Sequence, residues 1–270
     1  MKNYVIWFII MVVLIKFFEQ DNVLPRKSVD LGVAQYPLSG ETDYLEAQHR
    51  WQQPASRSTY QLMYRHGERT ALARHEDHAR IGRKFRFTPA RDGSFSWRTA
   101  RDCQSDWGFS NGDTWSCVYS QVLASNERDL APILERVSVG LKTEQFSQVE
   151  ASRWLLDFVQ TIPYKIPEKH AFGLLPPALV ASENWGDCDS KSLLLIALLR
   201  YFGIEAHMMI SQAHQHAMVA VPVANSARNT FKINGQRYAW AETTADAPLG
   251  WIQPDMLRPN DWQVVRVAQK

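Results

Sequence analysis

The stretch Gly186-Asp187-Cys188-Asp189-Ser190-Lys191-Ser192 sets one cysteine between two aspartates, immediately before the apolar run Leu193 to Leu199. A thiol is a nucleophile or metal ligand only as thiolate, and the unpaired N–H groups and macrodipole of a first helical turn favour that anion. Nucleophilic work also requires an adjacent base, and a third group to fix the base's tautomer. His216 lies 28 positions downstream of the cysteine, and Glu242 follows in Ala239-Trp240-Ala241-Glu242-Thr243-Thr244. By count alone this trio is a weak signal, because eight histidines and 28 carboxylates make a Cys, a His and an acid in some order almost inevitable. Other readings of the same residues stay open. Cys188 can be a small buried packing residue. With His214 and His216 it can be a zinc ligand, although the set lacks a C-x-x-C partner and no metal is expected. His214 can also replace His216 as base, while His207 reads as packing. Asp187 and Asp189 read as helix cap and first-turn acid, since an acid beside a thiol opposes its ionisation.

These side chains need elements to hold them. Asp187 can cap a helix beginning at Cys188, Leu193 to Leu199 is apolar on every face, and Gly203 falls where a C′ glycine belongs. A helix apolar all round is central and buried. After it, "IEAHMMIS", "HAMVAVPV" and "RYAWAETT" read as strands, with a turn at Asn234-Gly235 before the last. Upstream, "ERDLAPILERVSVGL" and "SQVEASRWLLDFVQTI" carry helical period, and Pro163 ends the second. A buried helix followed by antiparallel strands specifies an α+β domain, expected over residues 141–262. Between Tyr60 and Ser125, the runs "KFRFT", "GSFSWRT" and "WSCVYSQV" alternate between turn signals and read as antiparallel strands, giving a β-rich region over 59–140. Residues 21–58 show no sustained period and read as a tether.

The three chemical blocks resemble a family. "NWGDCDSKSLLLIALLRYFGIEA", "HQHAMVAV" and "RYAWAETT" before "LGWI" are similar to the Cys, His and acid blocks of the transglutaminase-like superfamily, a papain-like cysteine-enzyme fold. The preceding "WLLDFVQTIPYKIPE" is similar to the helix and Tyr turn that lead into that family's core. The resemblance covers roughly residues 145 to 255, and its acid block departs from the commoner Asp-x-Thr by reading Glu242-Thr243-Thr244. It implies a central helix packed on antiparallel strands, with Cys188 as nucleophile, His216 as general base and then acid, and Glu242 as orienter. The Cys188 backbone N–H would meet the oxyanion, with Trp185 or Asn184 as a second donor. The implied activity is cleavage or transfer at amide bonds of a protein or peptide through a Cys188 thioester, without a cofactor. Hydrolysis is the first expectation, because no separate amine-binding feature is visible. A crosslinking transamidase, or a non-catalytic periplasmic binding module that keeps the fold and grips a partner through Trp97, Trp107 and Trp115, is the rival.

The remaining signals set context. The chain has 270 residues, 45% hydrophobic and 11% aromatic, enough to bury a core. Its formal charge of +2 is spread without a basic face, so nucleic acid is not an expected partner. The densest basic stretch, Arg80 to Arg101, alternates with Phe85, Phe87, Phe95 and Trp97 and reads as solvated strand faces. Lys2 followed by the apolar run Tyr4 to Ile15 matches the n- and h-regions of an export signal, and no Ala-x-Ala site follows closely. An uncleaved signal-anchor in residues 1–20 is expected, holding a periplasmic body at the bacterial inner membrane, with a secreted form as the alternative. In an oxidising compartment, three cysteines suggest one bridge and one free thiol. Cys103 and Cys117 flank an Asn111-Gly112 turn signal, and two strands returning through it could bring them together as a candidate bridge, with Cys188 then the unpaired thiol. Finally, "YRHGERTA" matches the R-H-G-x-R signature of histidine phosphatases, but it lacks that signature's α/β context and reads as chance.

Overall fold

The computed structural model describes residues 27–37, 40–53, 56–89, 95–98, 100–105, 113–223 and 229–268. The N-terminal apolar run, Trp107 and the Asn111-Gly112 turn lie outside the described residues. Among the described residues, no helix is long and apolar enough to cross a membrane.

The chain opens with a β-rich region, but its main strands fall earlier than the sequence patterning suggested. β1 (Ser28–Tyr36), β2 (Tyr44–Gln52) and β3 (Thr59–Gly67) form a three-stranded sheet in the order β1-β3-β2, with β1 parallel to β3 and β2 antiparallel to it. Residues 28–36 and 44–52 are therefore strands and not tether. Their period of two was hidden because several inward positions are not aliphatic. Ala47, His49 and Trp51 alternate inward on β2, and Tyr60, Leu62, Tyr64 and His66 do so on β3.

The segment after β3 is mainly helical: α1 (Glu68–Lys84), a short α2 (Asp102–Ser105), α3 (Thr114–Ala124) and α4 (Glu127–Glu144). Among the described residues of this segment, only β4 (Thr88–Pro89) and β5 (Phe95–Ser96) pair, as a small arm. Arg80 and Arg83 thus lie on a helix, which buries only Ala71, His78, Ile81 and Gly82, too thin a stripe to announce itself in the sequence. "WSCVYSQV" is helix because it is enclosed: Ser116, Ser120 and Gln121 are buried beside Val118, Tyr119 and Val122, so its polar positions do not mark a solvent face. Ser120 Oγ satisfies itself on Ser116 O at 2.6 Å. Cys103 on α2 and Cys117 on α3 are joined by a disulfide, and Cys188 is the free thiol.

The C-terminal half follows the sequence pattern closely. α5 (Gln148–Gln160) opens on a capping box between Ser147 and Glu150, and α6 (Pro177–Glu183) precedes the central α7 (Cys188–Tyr201). Asp187 caps α7 by accepting from the Ser190 N–H at 3.2 Å. Gly203, at φ 72°, supplies the left-handed residue after its end, where Ile204 N–H returns to Leu199 O. β6 (His207–Ser211), β7 (His216–Pro222), β8 (Thr230–Ile233), β9 (Gln236–Ala241) and β10 (Gln263–Val265) form an antiparallel sheet in the order β10-β6-β7-β9-β8. Asn234 and Gly235, both at positive φ, turn β8 into β9. The molecule is thus α+β. α7 lies between this sheet, where it meets β6 and β7, and the helices α3, α4, α5 and α6. Leu193 to Ile196, Leu198 and Leu199 are fully buried there. A second apolar cluster, including Met218, Trp240 and Trp262, fills a separate part of the core.

Candidate active site

α7 delivers Cys188 to the edge of a cavity of about 950 Å³, which His216 also lines. The β7–β9 ladder ends at Val219 opposite Ala241, so Glu242 emerges beside the start of β7, where His216 stands. Glu242 Oε2 and His216 Nε2 are 2.7 Å apart. Nδ1 is the remaining ring nitrogen. Glu242 is 5% exposed, and its other oxygen accepts from the Thr244 N–H at 2.7 Å and the Thr244 hydroxyl at 2.6 Å. Burial opposes its charge, but the hydrogen bond and charge of His216 and the two Thr244 donors outweigh it. The carboxyl is held below its ordinary range.

The acid is anchored from behind. Gln160, at the end of α5, donates to Glu242 O and Ala247 O at 2.8 Å each. Lys191, 1% exposed on α7, donates to Ile162 O at 2.6 Å, next to the same helix end. Burial pulls that ammonium down to about 8, and Glu242 partly offsets the shift. Thr243 Oγ1 reaches Cys188 O at 3.4 Å and Ser192 Oγ at 3.3 Å, tying the acid loop to the helix start. None of these partners was singled out in the sequence, although a lysine inside an otherwise apolar buried helix is a visible anomaly.

The thiol itself is not activated as the helix-terminus argument led one to expect. Burial pushes the Cys188 thiol well up, and Asp189 and Asp187 push it further. The Ala217 N–H, next to His216, acts in the opposite direction, which sets the sulfur against the start of β7. The two aspartates cannot both ionise in this space. Burial raises both carboxyls, Asp189 far above the carboxylate range with Asp187 adding to it, and the two are hydrogen-bonded to each other. The Tyr119 hydroxyl sits 3.1 Å from Asp189 Oδ2. Asp187 is thus the cap, and Asp189 its hydrogen-bonded neighbour on the first turn.

Other candidates fall elsewhere. Asn184 ends α6 in a left-handed conformation, and Trp185 lies under Lys165, whose Nζ is 4.5 Å from the ring; neither lines the cleft. Gly186 lets this segment run beside Pro163–Lys165, because a Cβ would press within 3.3 Å of Val180, Ser190 and Lys191. His214 turns away to Asp261 at 3.1 Å, and His207 meets the Tyr238 hydroxyl at 3.1 Å. Among the described residues the only close group of three possible metal ligands is Asp187, Cys188 and Asp189, so His214, His216 and Cys188 do not assemble a zinc set. His66, the histidine of "YRHGERTA", is fully buried against Asp129 at 2.9 Å and Ser182 at 3.3 Å, out of reach of a phosphate substrate. Trp97 and Trp115 do line the cleft.

No protein-family model matches the chain, and no curated protein matches it either.

Proposed function

We propose that the protein is a transglutaminase-like cysteine peptidase or amidase, with Cys188 as nucleophile, His216 as base and Glu242 as orienter. The observation that carries this reading is the 2.7 Å His216–Glu242 hydrogen bond, made at the rim of the cavity that the free Cys188 also lines. Because the thiol rests protonated, its proton passes to His216 Nδ1 as sulfur attacks the carbonyl carbon. Glu242 stabilises the imidazolium that forms. The N–H groups at the start of α7 face the developing oxyanion. Collapse of the adduct breaks the C–N bond, His216 returns the proton to the leaving amine, and the thioester passes to water or to a second amine. The buried Cys103–Cys117 bridge favours an oxidising compartment, consistent with export to the periplasm through the N-terminal apolar run.

A binding module that retains the fold without turnover is the second reading, favoured by the burial and acidic neighbours that keep the thiol neutral. Incubating a broad peptide mixture in isotopically labelled water with the unsubstituted protein and with Cys188→Ala separates the two. New termini or amine exchange seen by mass spectrometry, at least about a thousandfold reduced in the alanine variant, is the expected result. Identical product profiles from the two proteins would leave the binding module.

A further inference from the structure

The cleft has one wall that the proposed chemistry does not itself require. Phe87, Trp97, Trp115, Tyr119 and Phe172 line it and form a continuous aromatic cluster. Trp97 and Trp115 have ring centroids 4.8 Å apart, Phe87 and Phe172 4.9 Å, and Trp115 stacks on Tyr119 at 5.3 Å. Phe172 sits at the centre, within 6.3 Å of both tryptophans, and its backbone is held at φ +62°, a region bulky residues rarely occupy. Such a conformation persists only where the surroundings over-determine it. The wall comes from α3, from the segments beside the β4–β5 arm and from the turn at 171–173, not from α7 or the sheet. Phe87, Trp97 and Trp115 keep part of their surface exposed. The lining also holds Glu168, Asp187 and Asp189, and among the described residues no lysine or arginine. The aromatic wall offers face and edge contacts to an aromatic ring and, among the described residues, no lysine or arginine to compensate a desolvated anion.

We infer that the cleft selects a peptide bearing an aromatic side chain beside the reacting amide and rejects one bearing an acidic side chain there, an inference that rests on reading Cys188 as the nucleophile. The test uses the full chain and blocked dipeptidyl chloromethyl ketones that differ only in the side chain beside the warhead, namely Phe, Ala or Asp. Chloroacetamide is the reference without a side chain, and alkylation of Cys188 is followed by intact mass. The Phe probe should react about tenfold or more faster than the Ala and Asp probes. Trp115→Ala, or Trp97→Leu if the first variant fails to fold, should bring the ratio within about twofold while the chloroacetamide rate is unchanged. Equal Phe and Asp rates in the unsubstituted protein, or a ratio untouched by both substitutions, would overturn the inference even though Cys188 reacts. If no probe modifies Cys188, chloroacetamide included, it is the nucleophile reading that fails. The wall is then tested by calorimetric titration of Cys188→Ala with the corresponding blocked peptides. About tenfold tighter binding of the Phe peptide, lost with the tryptophan substitution, sustains the selection; equal affinities or no binding overturn it.

Discussion

Glu242 keeps its charge against burial because His216 and Thr244 give it donors on both oxygens. Glutamine fills the same space but presents an amide where one of those donors now points. Glu242→Gln should therefore lower amide turnover by about a hundredfold or more, as loss of an orienting carboxylate does elsewhere, while circular dichroism stays unchanged. The same carboxylate makes a pH-dependent contribution to stability. Its folded value lies below its unfolded value, so the contribution is fully present above about pH 4.3, the ordinary glutamate value, and is lost as pH falls through the folded value. In denaturation series, the stability gap between the unsubstituted protein and Glu242→Gln should narrow on acidification below that point. A gap that widens instead would mean that burial, not His216 and Thr244, dominates the carboxyl. Cys188, His216 and Glu242 were each legible as residue types, and the family resemblance selected them from many candidates. The direction of the Cys188 shift was not legible, because it depends on how deeply the first turn of α7 is enclosed.

α7 shows how an element can be specified locally and still be tuned by its neighbours. Its cap, its apolar core and its C′ glycine are all in the sequence, and each occupies its expected place. Asp187 does two things at once: it satisfies the first turn, and its charge opposes ionisation of Cys188. These roles separate by substitution. Asp187→Ala should cost about 1 kcal/mol through loss of the cap, whereas Asp187→Asn should leave stability close to the original. Both should lower the pH at which Cys188 ionises, read from the pH dependence of its alkylation followed by intact mass, which reports one residue because the other two cysteines are bridged. An unchanged thiol titration in the asparagine variant would mean that burial and Asp189, without Asp187, set the shift. α1 and α3 illustrate the opposite case. α1 exposes so much of its surface that few apolar positions mark its period, and α3 is so enclosed that polar residues sit inside. In both, tertiary surroundings override the local pattern.

At the scale of the whole molecule, the main apolar core runs from Leu31 on β1 through Trp154 and the α7 leucines to Val267, so the N-terminal sheet and helices share a core with the C-terminal half. The Cys103–Cys117 bridge fastens α2 to α3, and α3 carries Trp115 and Tyr119 to the cleft. The bridge closes a short loop, its cysteines 14 positions apart. Replacing both by serine should reduce stability by about 3 kcal/mol on the loop-entropy account, measured by urea denaturation, and the unsubstituted protein under reductant should approach the variant. A loss below about 0.5 kcal/mol would show that core packing alone holds α2 against α3.

Taken by itself, the sequence determined what local chemistry and periodicity can encode: α7 with its cap and stop, the strands that follow it, α4 and α5, the free status of Cys188 and the three residue types of the candidate site. The tertiary structure alone decided that residues 28–36 and 44–52 are strands, that 68–84 and 114–124 are helix, and that an aromatic wall faces the cysteine. It also decided that Lys191, Gln160 and Thr243 brace the acid loop, and that the thiol rests neutral. The physical reason is common to all of these. Burial, desolvation and contacts between residues as far apart as Gln160 and Glu242 are properties of enclosed space, and no window of neighbouring residues carries them.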